Sequence, residues 1–102
     1  MTGEQRTAAK NLAHYLAGIS RAEQEKDYTT RNALVLHAFT AALAAGYEAG
    51  WRCDPQEPEW PVVYLELPTG QVSWHLPQHP RAWDGHTTEQ KYERCRAYVE
   101  QA

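Results

Sequence analysis

Tryptophan, proline and histidine are concentrated in one block of this chain. All four tryptophans, all six prolines and three of the five histidines fall between Trp51 and His86. Aromatic side chains offer a large contact area at a low cost in rotamer entropy, and tryptophan and histidine add hydrogen-bonding groups that need partners. This density exceeds what the core of a small domain needs, so residues 51–86 are where function is expected.

Length and charge limit the class of protein and its partners. The 102 residues make one domain, and a monomer of this size buries only about 60–65% of the surface that its unfolded chain exposes. We therefore expect a thin core and a homo-oligomer.

Ten basic and 13 acidic residues give a formal net charge of −3, with no basic run, which argues against double-stranded nucleic acid as a partner. Most of the basic residues are arginines, whose planar fork still suits one small anionic ligand.

Nothing in the sequence predicts export or a membrane span. The segment Met1-Thr-Gly-Glu-Gln-Arg lacks the apolar region of a secretory signal, and no stretch approaches the ~20 apolar residues of a transmembrane helix. We expect a cytoplasmic protein. Cys53 and Cys95 lack the spacing of a zinc site and are expected to be small buried residues rather than a disulfide.

Two helices are predicted in the first 50 residues. Thr2 and Gln5 have the form of a capping box, and apolar residues then recur at helical spacing to about Lys26. Asp27 or Thr29 can cap a second helix. Its stretch 33–45 is apolar at nearly every position, so this helix is expected to be central or shared with another subunit.

The second helix needs a residue that closes its C-terminus. Gly46 and Gly50 bracket the region where it should end. We expect Gly50 to be the closing glycine, because a non-helical pattern starts directly after it at Trp51.

A β-hairpin is predicted around Pro68-Thr-Gly. Two largely apolar segments, 61–67 and 71–76, flank this sequence, which fits a type I turn with a G1 bulge. That turn places Tyr64 opposite Trp74. Neither face of such a hairpin is clearly polar, so a partner subunit or a ligand is expected to cover one of them.

The flanking segments complete an α+β architecture in a single domain, 1–102. Residues 1–50 form a helical hairpin. Residues 51–86 hold the hairpin, which a strand at Trp51 can extend, a proline-rich loop or extended connector at 54–60, and aromatic and histidine-rich loops. Thr87 and Gln90 form a second capping box, which predicts a C-terminal helix over 87–102.

Two strings of residues resemble small proteins of bacteriophages and mobile elements. They are Leu67-Pro-Thr-Gly-Gln-Val-Ser-Trp-His-Leu and Trp83-Asp-Gly-His-Thr-Thr-Glu-Gln-Lys-Tyr, and the resemblance covers about the last 40 residues. The chain has Gln90 where that pattern has glutamate. The resemblance implies a phage source, and with it a location in the cytosol of the host cell. By analogy it suggests an anti-defence sponge, similar to anti-Thoeris and anti-CBASS proteins, that binds a cyclic or ADP-ribose-like immune signal as an oligomer.

The residues of 51–86 supply groups that suit such a ligand. Three aromatic rings can stack on a base, two arginines can pair with phosphate, and four polar side chains can bind ribose or base edges. In that order they are Tyr64, Trp74 and Trp83; Arg52 and Arg81; and Ser73, His75, Asp84 and His86. The alternative for Tyr64 and Trp74 is a cross-strand aromatic pair that closes the core.

Metal binding and catalysis are weaker interpretations of the same residues. His75, His79, Asp84 and His86 are acceptable metal ligands, but a proline-containing loop does not fix their geometry. Ser73 with His75 lacks the sharp turn and the oxyanion hole of a nucleophilic site. We therefore expect no metal, no cofactor and no catalytic residue.

Three functional hypotheses remain, in order of preference. The first is a non-catalytic anti-defence protein that sequesters a small nucleotide-derived signal. The second is an inhibitor or adaptor that binds a host defence protein through Trp51, Trp60 and the acidic segment 54–59. The third is a small metal-dependent hydrolase.

Overall fold

The computed structural model describes residues 1–54, 57–75, 87, 89–90 and 93, with the backbone alone for 53–54 and 57–61. Two helices, α1 (Gly3–Gln24) and α2 (Tyr28–Ala44), precede three strands. The strands are β1 (Glu48–Asp54), β2 (Glu57–Leu67) and β3 (Gly70–His75). The predicted α+β class is confirmed for this part of the chain.

Helix α1 begins and ends with local hydrogen bonds that its sequence encodes. Thr2 Oγ1 accepts a hydrogen bond from the backbone N–H of Gln5 at 3.1 Å, and Gln5 Oε1 accepts one from the N–H of Thr2 at 2.8 Å. This is the predicted capping box. At the other end Lys26 has a φ of 58°, and Asp27 donates its N–H to the carbonyl of Ala22 at 2.9 Å. That closure turns the chain directly into α2.

Asp27, rather than Thr29, is the residue that caps α2. Thr30 donates its backbone N–H to Asp27 Oδ1 at 3.2 Å and its hydroxyl to Oδ2 at 2.6 Å. These bonds, the hydroxyl bond foremost, hold the pKa of Asp27 below its usual range because they favour the ionised carboxylate. The same residue thus closes α1 with its backbone and starts α2 with its side chain.

The prediction that Gly50 closes α2 is wrong, since Gly46 does so. Gly46 has a φ of +88° and donates its N–H to the carbonyl of Leu43 at 3.0 Å, while Tyr47 donates to Ala42 at 2.9 Å. Only glycine adopts this left-handed conformation without a steric cost. Gly50 lies within β1 instead.

The three strands form one antiparallel sheet in the order β1-β2-β3. The further strand expected at Trp51 is therefore present. The loop or extended connector predicted over 54–60 is wrong as a separate segment, because β1 runs to Asp54 and β2 already begins at Glu57. Pairing of β1 with β2 passes from Arg52↔Val62 directly to Asp54↔Glu57. The unpaired stretch of β2 in between, 58–61, starts and ends with a proline, which has no N–H to donate to a sheet.

The predicted register of the β2–β3 hairpin is also wrong, by one residue. Leu67 pairs with Gly70, so Pro68 and Thr69 alone form the turn and there is no bulge. As a result Tyr64 lies opposite Ser73, and Trp74 lies opposite Val63. Burial explains the outcome, because this register puts Val72 and Trp74 on the same face as the buried residues of β2, whereas the bulged turn would have moved them to the other face.

The core lies between α2 and the sheet and between α2 and α1. Helix α2 packs against α1 and against β1 and β2, so the expectation of a central helix is confirmed. Buried apolar residues come from all three layers: Leu12 and Ile19 of α1; Val35, Ala38, Ala41 and Ala42 of α2; Val63 and Leu65 of β2. Trp51 and Trp74, the cross-strand neighbours of Val63, pack against this cluster.

The C-terminal region is only partly described. Thr87 donates its N–H to Gln90 Oε1 at 2.9 Å, and Gln90 donates its N–H to Thr87 Oγ1 at 3.2 Å. The second capping box is therefore formed as predicted. The helix predicted over 87–102 and the loops predicted over 76–86 otherwise fall outside the described residues.

Candidate functional site

The sheet has two chemically different faces. Its inner face packs on the helices, and its outer face, which we define by the alternate residues of the three strands, points away from them. Side chains that lie side by side across β1, β2 and β3 make three rows on the outer face. The basic row is Arg52, Val62 and His75; the tyrosine row is Gly50, Tyr64 and Ser73; the acidic row is Glu48, Glu66 and Gln71.

Four of the nine predicted ligand-binding residues meet on this outer face. Arg52 and His75 flank Val62 in the basic row, and Tyr64 and Ser73 are neighbours in the next row. Cross-strand neighbours have Cβ atoms about 5 Å apart, and successive rows on one face lie about 7 Å apart. All four side chains are thus within reach of one small ligand.

The other five predicted residues are not part of this group. Trp74 lies on the inner face, half-buried against the core. The alternative that Tyr64 and Trp74 form a cross-strand pair is wrong, since they point to opposite faces of the sheet. Four further residues lie outside the described part of the chain: Arg81, Trp83, Asp84 and His86.

The ring of Tyr64 lies across the backbone of Gly50. A Cβ atom placed on Gly50 would be 2.5 Å from Tyr64 Oη and 2.6 Å from Cζ, far inside contact distance. Glycine at this point of β1 is therefore what lets the ring lie over the neighbouring strand. With one ring surface against β1, Tyr64 remains half-buried rather than covered.

The acidic row contains groups that the sequence analysis did not single out. Glu48 and Glu66 lie directly opposite each other, an arrangement of like charges that destabilises a sheet in the absence of a donor. Gln71 Nε2 donates to Glu66 Oε1 and partly offsets this repulsion. The predicted register did not bring these residues together, because it placed Gln71 on the face opposite to Glu66.

Arg31 was also missed, and it connects the helices to the end of β3. Its Nη2 donates to the carbonyl oxygen of His75 at 2.6 Å and to Asn32 Oδ1 at 2.8 Å. The guanidinium also lies 3.7 Å from Glu23 Oε2 and 5.4 Å from the centre of the Tyr28 ring. Arg31 is only 8% exposed. A lone arginine early in a helix carries no sequence signal that distinguishes such a buried role from a solvated one.

The helices form a concave surface that is mainly apolar. A groove of about 510 Å³ runs between α1 and α2. Tyr15 and His37 stack across it with ring centres 5.4 Å apart, and the remaining lining is mainly alanine with Leu36, Asn11 and Thr40. It contains no charged side chain. Three of its α2 residues, Ala33, His37 and Thr40, are exposed, so the sheet does not cover this side of α2.

The described residues do not support a metal site or a membrane span. Among them, no three histidine, cysteine, aspartate or glutamate side chains come close enough together to hold a metal ion. Of the proposed ligands only His75 is described. Neither described helix is long and apolar enough to cross a membrane.

The fold and its polar sheet face define a small α+β protein with a helical hairpin on one side of a three-stranded sheet. A family model for the WDGH domain matches residues 17–98. The chain belongs to the WDGH-domain family. The match includes Trp83-Asp-Gly-His, as the resemblance in the C-terminal segment suggested, but it starts within α1 and so reaches well beyond the last 40 residues. No curated protein and no solved structure matches the chain.

Proposed function

We propose that this protein is a non-catalytic binding protein that sequesters a small nucleotide-derived signal on the outer face of its sheet. The observation that carries this proposal is the meeting of Arg52, Tyr64, Ser73 and His75 in two adjacent rows of one face. Their side chains supply a cation, an aromatic ring, a hydroxyl group and an imidazole, and the observed strand pairing brings them to one face.

The chemistry of these groups favours recognition of a nucleotide. Arg52 is exposed and makes no hydrogen bond or ion pair within the described part of the chain, so its guanidinium is available for bidentate contact with a phosphate. The hydroxyl groups of Tyr64 and Ser73 each donate and accept one or more hydrogen bonds, as ribose recognition requires. The Tyr64 ring adds a surface for stacking.

The biological role that we propose is anti-defence, in which a phage-encoded protein removes a cyclic or ADP-ribose-like immune signal. The resemblance of the C-terminal strings to phage and mobile-element proteins supports this role. The inhibitor hypothesis gains no support from Trp51, because that side chain packs on the inner face of the sheet.

We further propose that the protein acts as a homodimer that joins through the groove between α1 and α2. From Asn32 to its end at Ala44 helix α2 has no charged residue, although Ala33, His37, Thr40 and Leu43 are exposed. Depletion of charge is typical of the centre of a protein interface. A second copy that covers this face leaves both outer sheet faces accessible.

Native mass spectrometry with a panel of cyclic, linear and ADP-ribose-like nucleotides tests the function. We expect a retained ligand, a rise in melting temperature with ligand concentration, and recovery of the unaltered nucleotide after heating. Arg52→Gln should weaken binding at least about tenfold, whereas Arg21→Gln, on the exposed surface of α1, should not change it.

Two results would contradict the proposal. Recovery of a chemically altered nucleotide would favour the hydrolase. The absence of any nucleotide complex would favour a protein partner.

A further inference from the structure

We propose that the outer face selects and orients a guanine nucleotide, with the base stacked on Tyr64, the phosphate beside Arg52 and the donor edge of the base toward the acidic row. This inference rests on the proposed function and adds the ligand class and its direction along the strands. Three observations carry it: the ring that lies over Gly50, the separation of charge along β1 and β2, and the paired carboxylates.

The tyrosine row is suited to hold a planar group. Because Gly50 has no Cβ, the Tyr64 ring lies over β1 with one surface toward the strand. A ring held in this way loses little entropy when a base stacks on its other surface. Stacking of this kind is tolerant of base identity, so Tyr64 supplies affinity and other groups must supply selection.

The outer face is polarised along the strands. Arg52 lies at one end, and Glu48 lies four residues away on the same strand and the same face, a separation of about 13 Å. This exceeds the Debye length of about 8 Å in physiological salt, so the carboxylates do not cancel the attraction of Arg52 for a phosphate. A mononucleotide that lies along β2 with its base on Tyr64 therefore extends its phosphate toward Arg52 and the edge of its base toward the acidic row.

The acidic row selects among bases by their hydrogen-bonding groups. Ionised carboxylates only accept hydrogen bonds. The edge of guanine that carries its ring N–H and its amino group presents two adjacent donors, which match a carboxylate, whereas the same edge of adenine pairs a donor with an acceptor that a carboxylate repels. Donors from a base would also relieve the repulsion between Glu48 and Glu66, which Gln71 only partly offsets.

Isothermal titration with guanosine, inosine, adenosine and uridine 5′-monophosphates tests the inference. Inosine monophosphate lacks only the amino group of guanine. We expect the guanine nucleotide to bind at least about tenfold more tightly than the other three. Glu66→Gln should remove most of the preference over inosine monophosphate and leave affinity for the latter within about threefold.

Gly50→Ala tests whether binding depends on the position of the Tyr64 ring, and it removes no side chain that is proposed to contact the ligand. The added methyl group must displace the Tyr64 ring, and we expect at least about a tenfold loss of affinity for guanosine monophosphate. Gly3→Ala is the matched control, because a methyl group there meets nothing within 4 Å. If Gly50→Ala lowers the melting temperature sharply, Tyr64→Leu replaces it as the test. Tyr64→Phe, which keeps the ring and loses only the hydroxyl, then separates the contribution of stacking from that of the hydroxyl group.

The outcomes separate the two proposals. Binding of all four nucleotides with equal affinity, or full affinity in Gly50→Ala and Tyr64→Leu, would overturn the inference and leave the proposed binding function intact. Failure of every nucleotide, cyclic or linear, to bind the unaltered protein would overturn the function itself.

Discussion

At the scale of single residues, Lys26 shows how tightly the two helices are joined. Its φ of 58° is left-handed, a conformation that costs a residue other than glycine about 1–2 kcal/mol. Glycine avoids this cost but loses about 0.5–1 kcal/mol to the greater freedom of the unfolded chain. We therefore expect Lys26→Gly to raise the free energy of unfolding by up to about 1 kcal/mol, measured by urea denaturation.

A matched glycine substitution inside α1 should change the free energy of unfolding in the opposite direction. Lys10 is exposed in a regular helical turn, so Lys10→Gly should lower the free energy of unfolding by about 1 kcal/mol. Equal destabilisation by the two changes would show that the chain does not adopt the left-handed turn at Lys26 in solution.

At the scale of elements, Arg31 is the connection between α2 and β3. Replacing it with glutamine removes the donor to the His75 carbonyl and the contacts with Glu23 and Tyr28. Loss of a buried donor of this kind costs about 1–3 kcal/mol. We expect Arg31→Gln to lower the free energy of unfolding by that amount and to raise amide hydrogen exchange at the end of β3.

The control for Arg31 is another arginine of the helical hairpin. Arg21 lies exposed in the last turn of α1, and Arg21→Gln should change stability by no more than about 0.5 kcal/mol. If Arg31→Gln behaved like this control, the hydrogen bond to His75 would not hold the strand.

The elements also show how far sequence reasoning reaches. Both helix starts were predictable, because Thr2 and Asp27 satisfy orphan N–H groups with side chains three residues away from their partners. The register of the hairpin was not predictable, because Pro68-Thr-Gly suits more than one type of turn. The choice between these turns depends on burial of Val72 and Trp74 against helices that are distant in sequence. Site residues could be chosen by chemistry alone, but which of them share a face depended on that register.

At the scale of the whole molecule, the groove between α1 and α2 is where we expect a second copy of the chain to bind. Its lining is uncharged, and Leu43 of α2 is 50% exposed. Because a chain of about 100 residues buries a smaller share of its surface than a larger domain does, a second copy on this face would add substantially to the apolar area removed from water. We expect a dimer at micromolar concentration in sedimentation velocity experiments.

Alanine-to-glutamate substitutions test whether the groove is the interface. Ala33 lines the groove, and a carboxylate buried there without a partner should weaken the dimer by at least about a hundredfold. Ala13 is exposed on α1 away from the groove, so Ala13→Glu should remain dimeric. The Ala33→Glu monomer should still bind nucleotide, because the outer face lies on the far side of the sheet. A monomeric unaltered protein, or a dimer that survives Ala33→Glu, would place any interface elsewhere.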